Sequence, residues 1–231
     1  MMRIIEDIIS NGHGWLDASY IVIHETANPG ATAKNHVDYW SRDDTYAVHY
    51  VGDWTGDVYH CVPNDRLCWQ VGNGNPYVIG IELCHATNQA DFEKVWDIGV
   101  EWAAMMLTAY GWGIDRLISH NDCSEWWGGS DHTDPLGYFE EYGKSWSQFK
   151  EEVAERLGED MTDEQIKKLA REIAIAQMQY MSGDDEKAIW GATGMNTGKL
   201  YRNNYNIMRF CHDLLININT NVAKIVRKLG A

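Results

Sequence analysis

Three apolar runs constrain this chain more than anything else in it, because each carries a polar group that packing alone does not explain. Residues 19–24 read Ser-Tyr-Ile-Val-Ile-His, and residues 78–84 read Val-Ile-Gly-Ile-Glu-Leu-Cys. Residues 115–119 lead through Leu117 and Ile118 into His120. Short, nearly continuous apolar runs rich in β-branched residues predict strands covered on both faces. His24 ends the first run, Glu82 lies inside the second and His120 follows the third. A lone buried histidine is more often a hydrogen-bonded core residue than a ligand. A buried carboxylate, however, costs several kcal/mol unless it is paired or metal-bound, so Glu82 demands a partner.

The stretch after the third run adds candidates. Residues 118–135 hold His120, His132, Cys123, Asp134 and a cluster of glycines. Histidine with a carboxylate or thiolate suits Zn²⁺ with one position left for water, and a glycine-rich loop can fold back to deliver a distant ligand. Cys123 and Asp134 both qualify as the anionic ligand. Two strand-end histidines, a strand carboxylate and a His-x-Asp loop together point to a catalytic metal site.

The remaining pattern predicts how such strands are held. Residues 2–18 read as a short helix and a loop, and residues 32–40 as a helix with His36, Val37 and Trp40 on one face. Residues 46–51 and 58–62 read as two strands joined by a Gly/Asp-rich turn, a hairpin. Residues 67–71 read as a further short strand and 72–76 as a loop. Residues 89–110 carry apolar side chains at three- and four-residue steps, which predicts a long helix ended by Gly111 and Gly113. Ser145 and Gln148 form a capping box for a helix through residue 157. The expected class is α/β, with a central mixed β-sheet flanked by helices, followed by a C-terminal all-helical segment. The expected division is a catalytic domain over 1–157, a linker at 158–161 and a helical module over 162–231 that contacts an anionic polymer or oligomerises.

Charge and cysteines exclude several alternatives. Residues 1–160 carry nine basic against 27 acidic residues, while residues 161–231 carry ten against seven. So acidic a first part argues against nucleic acid as partner. No apolar run approaches the roughly 20 residues needed to span a bilayer, so no membrane insertion is expected. The N-terminal apolar stretch is short and interrupted by acids, which predicts synthesis in the cytoplasm without a signal peptide. Five cysteines, an odd number with no CxxC pair, predict reduced thiols, with a Cys61–Cys68 pair as the alternative in an oxidising space.

The chain resembles the type 2 N-acetylmuramoyl-L-alanine amidases, which share their fold with peptidoglycan recognition proteins and many phage endolysins. The resemblance rests on Ile21-Val-Ile-His-Glu-Thr26, Val48-His-Tyr-Val51 with Gly56-Asp-Val-Tyr59, Cys68-Trp-Gln-Val-Gly72, Ile79-Gly-Ile-Glu-Leu83, Ser119-His-Asn-Asp122 and His132-Thr-Asp-Pro135. These occur in the family's order across about residues 15–157, whereas residues 161–231 match nothing of it. The resemblance implies Zn²⁺ held by His24, His120 and Asp134. It implies Glu82 as the general base, because the tyrosine that some members place before the second-strand histidine is here Val48. Where the family has a lysine two residues before the third ligand, this chain has His132, implying a histidine as the oxyanion partner. The family's Trp-His-Ala-Gly appears as Trp69-Gln70-Val71-Gly72. Substrate contacts are expected from His49, Trp69, Gln70, Asn75 and Trp126.

The implied activity is hydrolysis of the amide between N-acetylmuramic acid and L-alanine in peptidoglycan, with host cell lysis as its role. The enzyme would reach the wall after holin-type release. The alternative is a non-catalytic peptidoglycan-binding module. A generic zinc peptidase lacks support because no His-Glu-x-x-His helix is present.

Overall fold

The computed structural model describes residues 2–158. The C-terminal helical module expected over 162–231 and Cys211 lie outside the described residues.

Six strands form one sheet: β1 (Arg3–Glu6), β2 (Tyr20–Glu25), β3 (Tyr50–Gly52), β4 (Asp57–His60), β5 (Val78–Leu83) and β6 (Leu117–Ser119). Their spatial order is β1-β4-β3-β5-β2-β6. Only β3 and β4 pair antiparallel, as the expected hairpin; every other pairing is parallel. The sheet is therefore mixed, and the three apolar runs, β5, β2 and β6, are parallel neighbours with β6 at the edge. Ile21, Ile23, Ile79, Ile81 and Leu83 are fully buried, as strands covered on both faces require.

Helices α1 (Ala33–Trp40), α2 (Gln89–Tyr110), α3 (His120–Trp127), α4 (Leu136–Glu141) and α5 (Trp146–Gly158) cover the sheet. The long helix α2 has the bounds its periodicity predicts. It packs closely on β5: a Cβ at Gly99 would stand 2.9 Å from Leu83 Cδ1. Because side chains alternate along a strand, Leu83 pointing to α2 sends Val78, Gly80 and Glu82 to the opposite face. On that face Val22, Val78, Ile118 and Cys123 form one apolar cluster with Val71. Ala33, Val37 and Trp40 of α1 pack with Val48 and Val51 in another. α5 begins at the expected capping box, the Gln148 N–H donating to Ser145 Oγ at 3.2 Å and the Ser145 N–H to Gln148 Oε1 at 2.8 Å.

Several local expectations are corrected. Residues 3–6 are an edge strand rather than a helix; β1 pairs with β4, and Arg3 makes an ion pair with Asp57 at 2.7 Å. The strand expected over 46–51 begins only at Tyr50, because the chain around Ala47–His49 turns, the Ala47 N–H donating to Asp44 O. Residues 67–71 form no strand: Asn75 Oδ1 takes the backbone N–H groups of Gln70 and Val71, at 2.8 and 2.7 Å. Residues 72–77 wind into a 3-10 turn. His120 does not end a strand but starts α3, one residue after β6 stops. The four described cysteines are free and buried.

Candidate metal centre

The register of the parallel strands assembles the centre. His24 of β2 pairs with Glu82 of β5, and Ile23 pairs with Ser119 of β6. The next residue on each side of that last pair is His24 and His120. Glu82 and His24 on adjacent strands and His120, one residue past the end of β6, thus form a row at the carboxyl ends of the strands, where the sheet stops and a crevice opens. Ser119 caps α3: its hydroxyl oxygen accepts from the Asp122 N–H, and Asp122 accepts in return from the Ser119 N–H. That reciprocal box, legible as Ser-x-x-Asp, turns the chain sharply and sets His120 on the first helical position.

Asp134 arrives from the chain beyond α3. Gly128 and Gly129 take left-handed φ values of 66° and 79°. The loop they open is clamped to the 72–73 turn, with the Asn73 N–H donating to Gly128 O at 3.0 Å and Asn73 Nδ2 to Trp127 O at 3.0 Å. A further bond, from the Asn121 N–H to Asp134 O at 3.2 Å, pins the loop's far end to α3.

The three side chains converge. His24 Nδ1 and His120 Nδ1 lie 3.0 Å apart. Asp134 Oδ1 is 3.0 Å from His120 Nδ1, and Oδ2 is 3.3 Å from His24 Nδ1. Four-coordinate Zn²⁺, with bonds of about 2.0–2.1 Å, separates its donors by about 3.3 Å, so the observed triangle matches what the ion needs. His120 Nε2 is 2.9 Å from Ser130 Oγ. Assigning the proton to that contact leaves Nδ1 as a lone pair facing the centre, the arrangement an outer-shell hydrogen bond imposes on a metal-binding histidine. The Glu25 N–H donates to Asp134 Oδ2 at 3.2 Å and orients the carboxylate. Among the described residues these three form the group able to hold a metal ion.

Electrostatics agrees with the geometry. Burial lowers the His24 pKa, against the pull of Asp134, which favours the neutral imidazole a cation requires. Burial works against ionised Asp134, yet His120 and His24 hold its carboxyl well below the usual range. Glu82 moves the opposite way: burial first, then the Asp134 and Glu25 carboxylates, raise its pKa well above normal. Its Oε2 is buried with no hydrogen-bond partner. The neighbour this strand carboxylate demands is thus not a salt bridge.

The remaining candidates divide. His132 lies at the rim, its side chain 66% exposed, with Nδ1 3.6 Å from Asp134 Oδ1. His49 is fully buried, with Nε2 2.8 Å from Arg66 O and Nδ1 accepting the Gly80 N–H at 3.1 Å. The expectation that it touches substrate is corrected: both ring nitrogens are occupied and no surface remains. Gln70 also turns inward, donating to Val78 O at 3.3 Å; a Cβ at Gly80 would stand 1.9 Å from its Oε1. That contact explains the glycine of the Ile-Gly-Ile-Glu motif. Asn75 brackets the loop, as described above. Trp69 is 48% exposed and stacks on His13 at 3.9 Å. Trp126 is 52% exposed but packs on Tyr20, the first residue of β2, at 5.9 Å. Four residues of strand, about 13 Å, separate Tyr20 from His24, so the structure does not bring Trp126 to the centre. Cys123 packs in the apolar cluster, where burial pushes its thiol up to about 12. Sequence reading passed over Ser130, the Ser119–Asp122 box and the pair formed by Glu25 and His85, whose Nδ1 is 2.6 Å from Glu25 Oε1.

A donor triangle at the ends of parallel strands, with an unpaired carboxyl beside it, is a group that could hold a metal ion. The chain belongs to the N-acetylmuramoyl-L-alanine amidase family, whose pattern matches residues 14–137. It is 32% identical over 147 residues to the bifunctional autolysin of Staphylococcus aureus, covering 59% of this chain and 12% of that relative's length. Among solved structures it is similar to the Staphylococcus aureus hydrolase AmiA, solved in complex with its ligand. That match has 28% identity and a TM-score of 0.63, over 67% of this chain and 83% of the other. A mutant endolysin from Bacillus subtilis is 26% identical with a TM-score of 0.55, over 66% and 99%. The mixed sheet with flanking helices is accordingly the amidase fold.

Proposed function

We propose that this protein is a zinc-dependent N-acetylmuramoyl-L-alanine amidase that cleaves the bond between the lactyl carbonyl of N-acetylmuramic acid and the L-alanine nitrogen of peptidoglycan. The observation that carries this reading is the triangle of His24, His120 and Asp134 with Glu82 unpaired beside it. His24, His120 and Asp134 would hold the ion, with Ser130 and the Glu25 N–H orienting them. When bound, Zn²⁺ supplies Lewis-acid chemistry, polarising the carbonyl and acidifying water.

The chain's own groups do the rest. Glu82 takes the proton of the attacking water and returns it to the departing nitrogen. A carbon–oxygen bond forms, the carbon–nitrogen bond breaks, and the products are a muramic acid carboxylate and a free L-alanine amine. Burial, with the Asp134 and Glu25 carboxylates, raises the Glu82 pKa, which favours its holding and returning the proton. His132, at the rim beside Asp134, donates a hydrogen bond to the developing oxyanion, a role worth roughly 3 kcal/mol. Trp69 offers an exposed ring to substrate.

In this reading the enzyme acts on the bacterial wall, reaching it by holin-type release, and lyses the host; similarity to an endolysin supports that role. The test is direct. Metal analysis should find one zinc per chain, and purified wall should yield new L-alanine amines that a chelator abolishes and zinc restores. Zinc-loaded protein that binds wall yet releases no such amine would replace this reading with the non-catalytic module.

A further inference from the structure

The chain leaves β2 and β5 side by side at the centre, and the two exits are stitched together. The Thr26 N–H donates to Leu83 O at 3.1 Å, the His85 N–H to Thr26 Oγ1 at 3.1 Å and the Gly30 N–H to His85 O at 2.9 Å. Helix α4, which starts two residues past Asp134, grips the same segment. The Tyr138 hydroxyl donates to Cys84 O at 3.2 Å and accepts the Ala86 N–H at 3.0 Å, and the Tyr142 hydroxyl donates to Ala86 O at 2.7 Å. The His85 ring lies against Tyr138, their centroids 4.5 Å apart.

His85 joins these parts. Its Nδ1 is 2.6 Å from Glu25 Oε1, and its Nε2 is 3.3 Å from Oε2 of Glu141, the last residue of α4. Glu25 Oε1 also accepts the Ala27 N–H. Ala27 has a φ of 47°, a left-handed conformation that a non-glycine residue keeps only where its surroundings impose it. The Glu25 N–H, in turn, donates to Asp134 Oδ2. Bonds and chain together close a ring that runs from Asp134 through α4 to Glu141, then His85, Glu25 and back to Asp134. His85 lends no donor atom to the triangle, yet it is the one side chain through which the ring closes on both flanks. It also stands three residues past Glu82 on one segment, so the same ring keeps that carboxyl in register with Asp134. We propose that His85 is a positioning residue for the metal centre, acting through Glu25 to hold the Asp134 carboxylate at the spacing a cation requires. This rests on the metal reading of the centre.

The test is calorimetric titration of the full chain with zinc. Losing an outer-shell partner weakens metal binding by about 10–100-fold, so His85→Ala should raise the zinc Kd by about that factor. His85→Asn, whose side-chain amide can take the place of Nδ1, should recover most of the loss. Glu25→Ala should weaken zinc at least as much as His85→Ala, and the double variant no more than Glu25→Ala alone, because two links of one ring do not add. The visible absorption of cobalt-loaded protein, which reports the geometry of the donors, should change in His85→Ala and return in His85→Asn. In metal-free protein, hydrogen exchange at the Glu25 amide should quicken in His85→Ala, while that at Ile23 in the same strand keeps its rate. That internal comparison separates a displaced Asp134 from a fold loosened throughout. An unchanged zinc Kd, a fully additive double variant, or equal losses in His85→Asn and His85→Ala would overturn the proposal. If the unsubstituted protein bound no zinc, the metal reading would fall instead, and the Glu25 amide would still decide whether His85 holds Asp134 in place.

Discussion

At the scale of single residues, two buried groups define what this centre tolerates. Glu82 Oε2 is held without a hydrogen-bond partner, and in the proposed reading its cost is borne for chemistry rather than stability. Glu82→Gln should lower kcat by about 10²–10⁴-fold with zinc content unchanged. Metal-free Glu82→Gln should melt no lower than the parent, since no ion pair is lost. A variant that loses zinc along with activity would make Glu82 a ligand rather than a base. His49 is the opposite case, satisfied at both nitrogens and held neutral by burial, its pKa lowered from 6.5 to about 3. The folded state therefore binds fewer protons than the unfolded state between those values. Stability from His49 is complete above pH 6.5 and is lost as pH falls toward 3, at up to about 1.4 kcal/mol per pH unit. Denaturant titrations across pH 4–6.5 should show a shallower slope for His49→Gln. Equal slopes would mean the ring is protonated in place. The histidines looked alike in sequence because imidazole serves as ligand, clamp or surface group without any change in its local apolar context.

At the scale of elements, the centre depends on two devices that are each a few residues long. One is the capping box that ends β6 and starts α3 between Ser119 and His120. The other is the clamp between residues 72–73 and 128–129. Gly72 has a φ of 65°, and a Cβ there would stand 2.4 Å from the Gly129 carbonyl carbon. A side chain meets backbone, which cannot rotate away. Gly72→Ala should cost at least about 1 kcal/mol from the left-handed backbone alone. It should also weaken zinc binding, because the displaced loop carries Ser130 and Asp134. Calorimetric zinc titration checks this; unchanged affinity would mean the loop is positioned by α3 alone. The periodic helix α2 and the three apolar strands were legible because their patterns repeat over enough residues to be distinctive. The edge strand β1, the turn at residues 47–49 and the start of α3 were not. Those boundaries are decided by which backbone partner is nearby, and partners such as β4 for β1 lie some fifty residues away.

At the scale of the whole molecule, residues 2–158 close their own core: Phe139 and Phe149 stack at 5.3 Å, and Trp96 packs edge-on to both. A chain ending at residue 158 should fold and hydrolyse a soluble muramoyl peptide at nearly the full rate. If residues 162–231 target the wall, that shorter chain should sediment less with purified walls; unchanged binding would remove that role from the tail. The sequence by itself determined the strand cores, the long helix, the donor types and the family, because apolar periodicity and the chemistry of histidine and carboxylate are local properties. The tertiary structure decided which histidines meet. Parallel register places Glu82, His24 and His120 in one row, a folded-back loop adds Asp134, and the same packing seals His49 away from any substrate. Those outcomes follow from contacts between residues up to 110 positions apart, and no short stretch of chain records them.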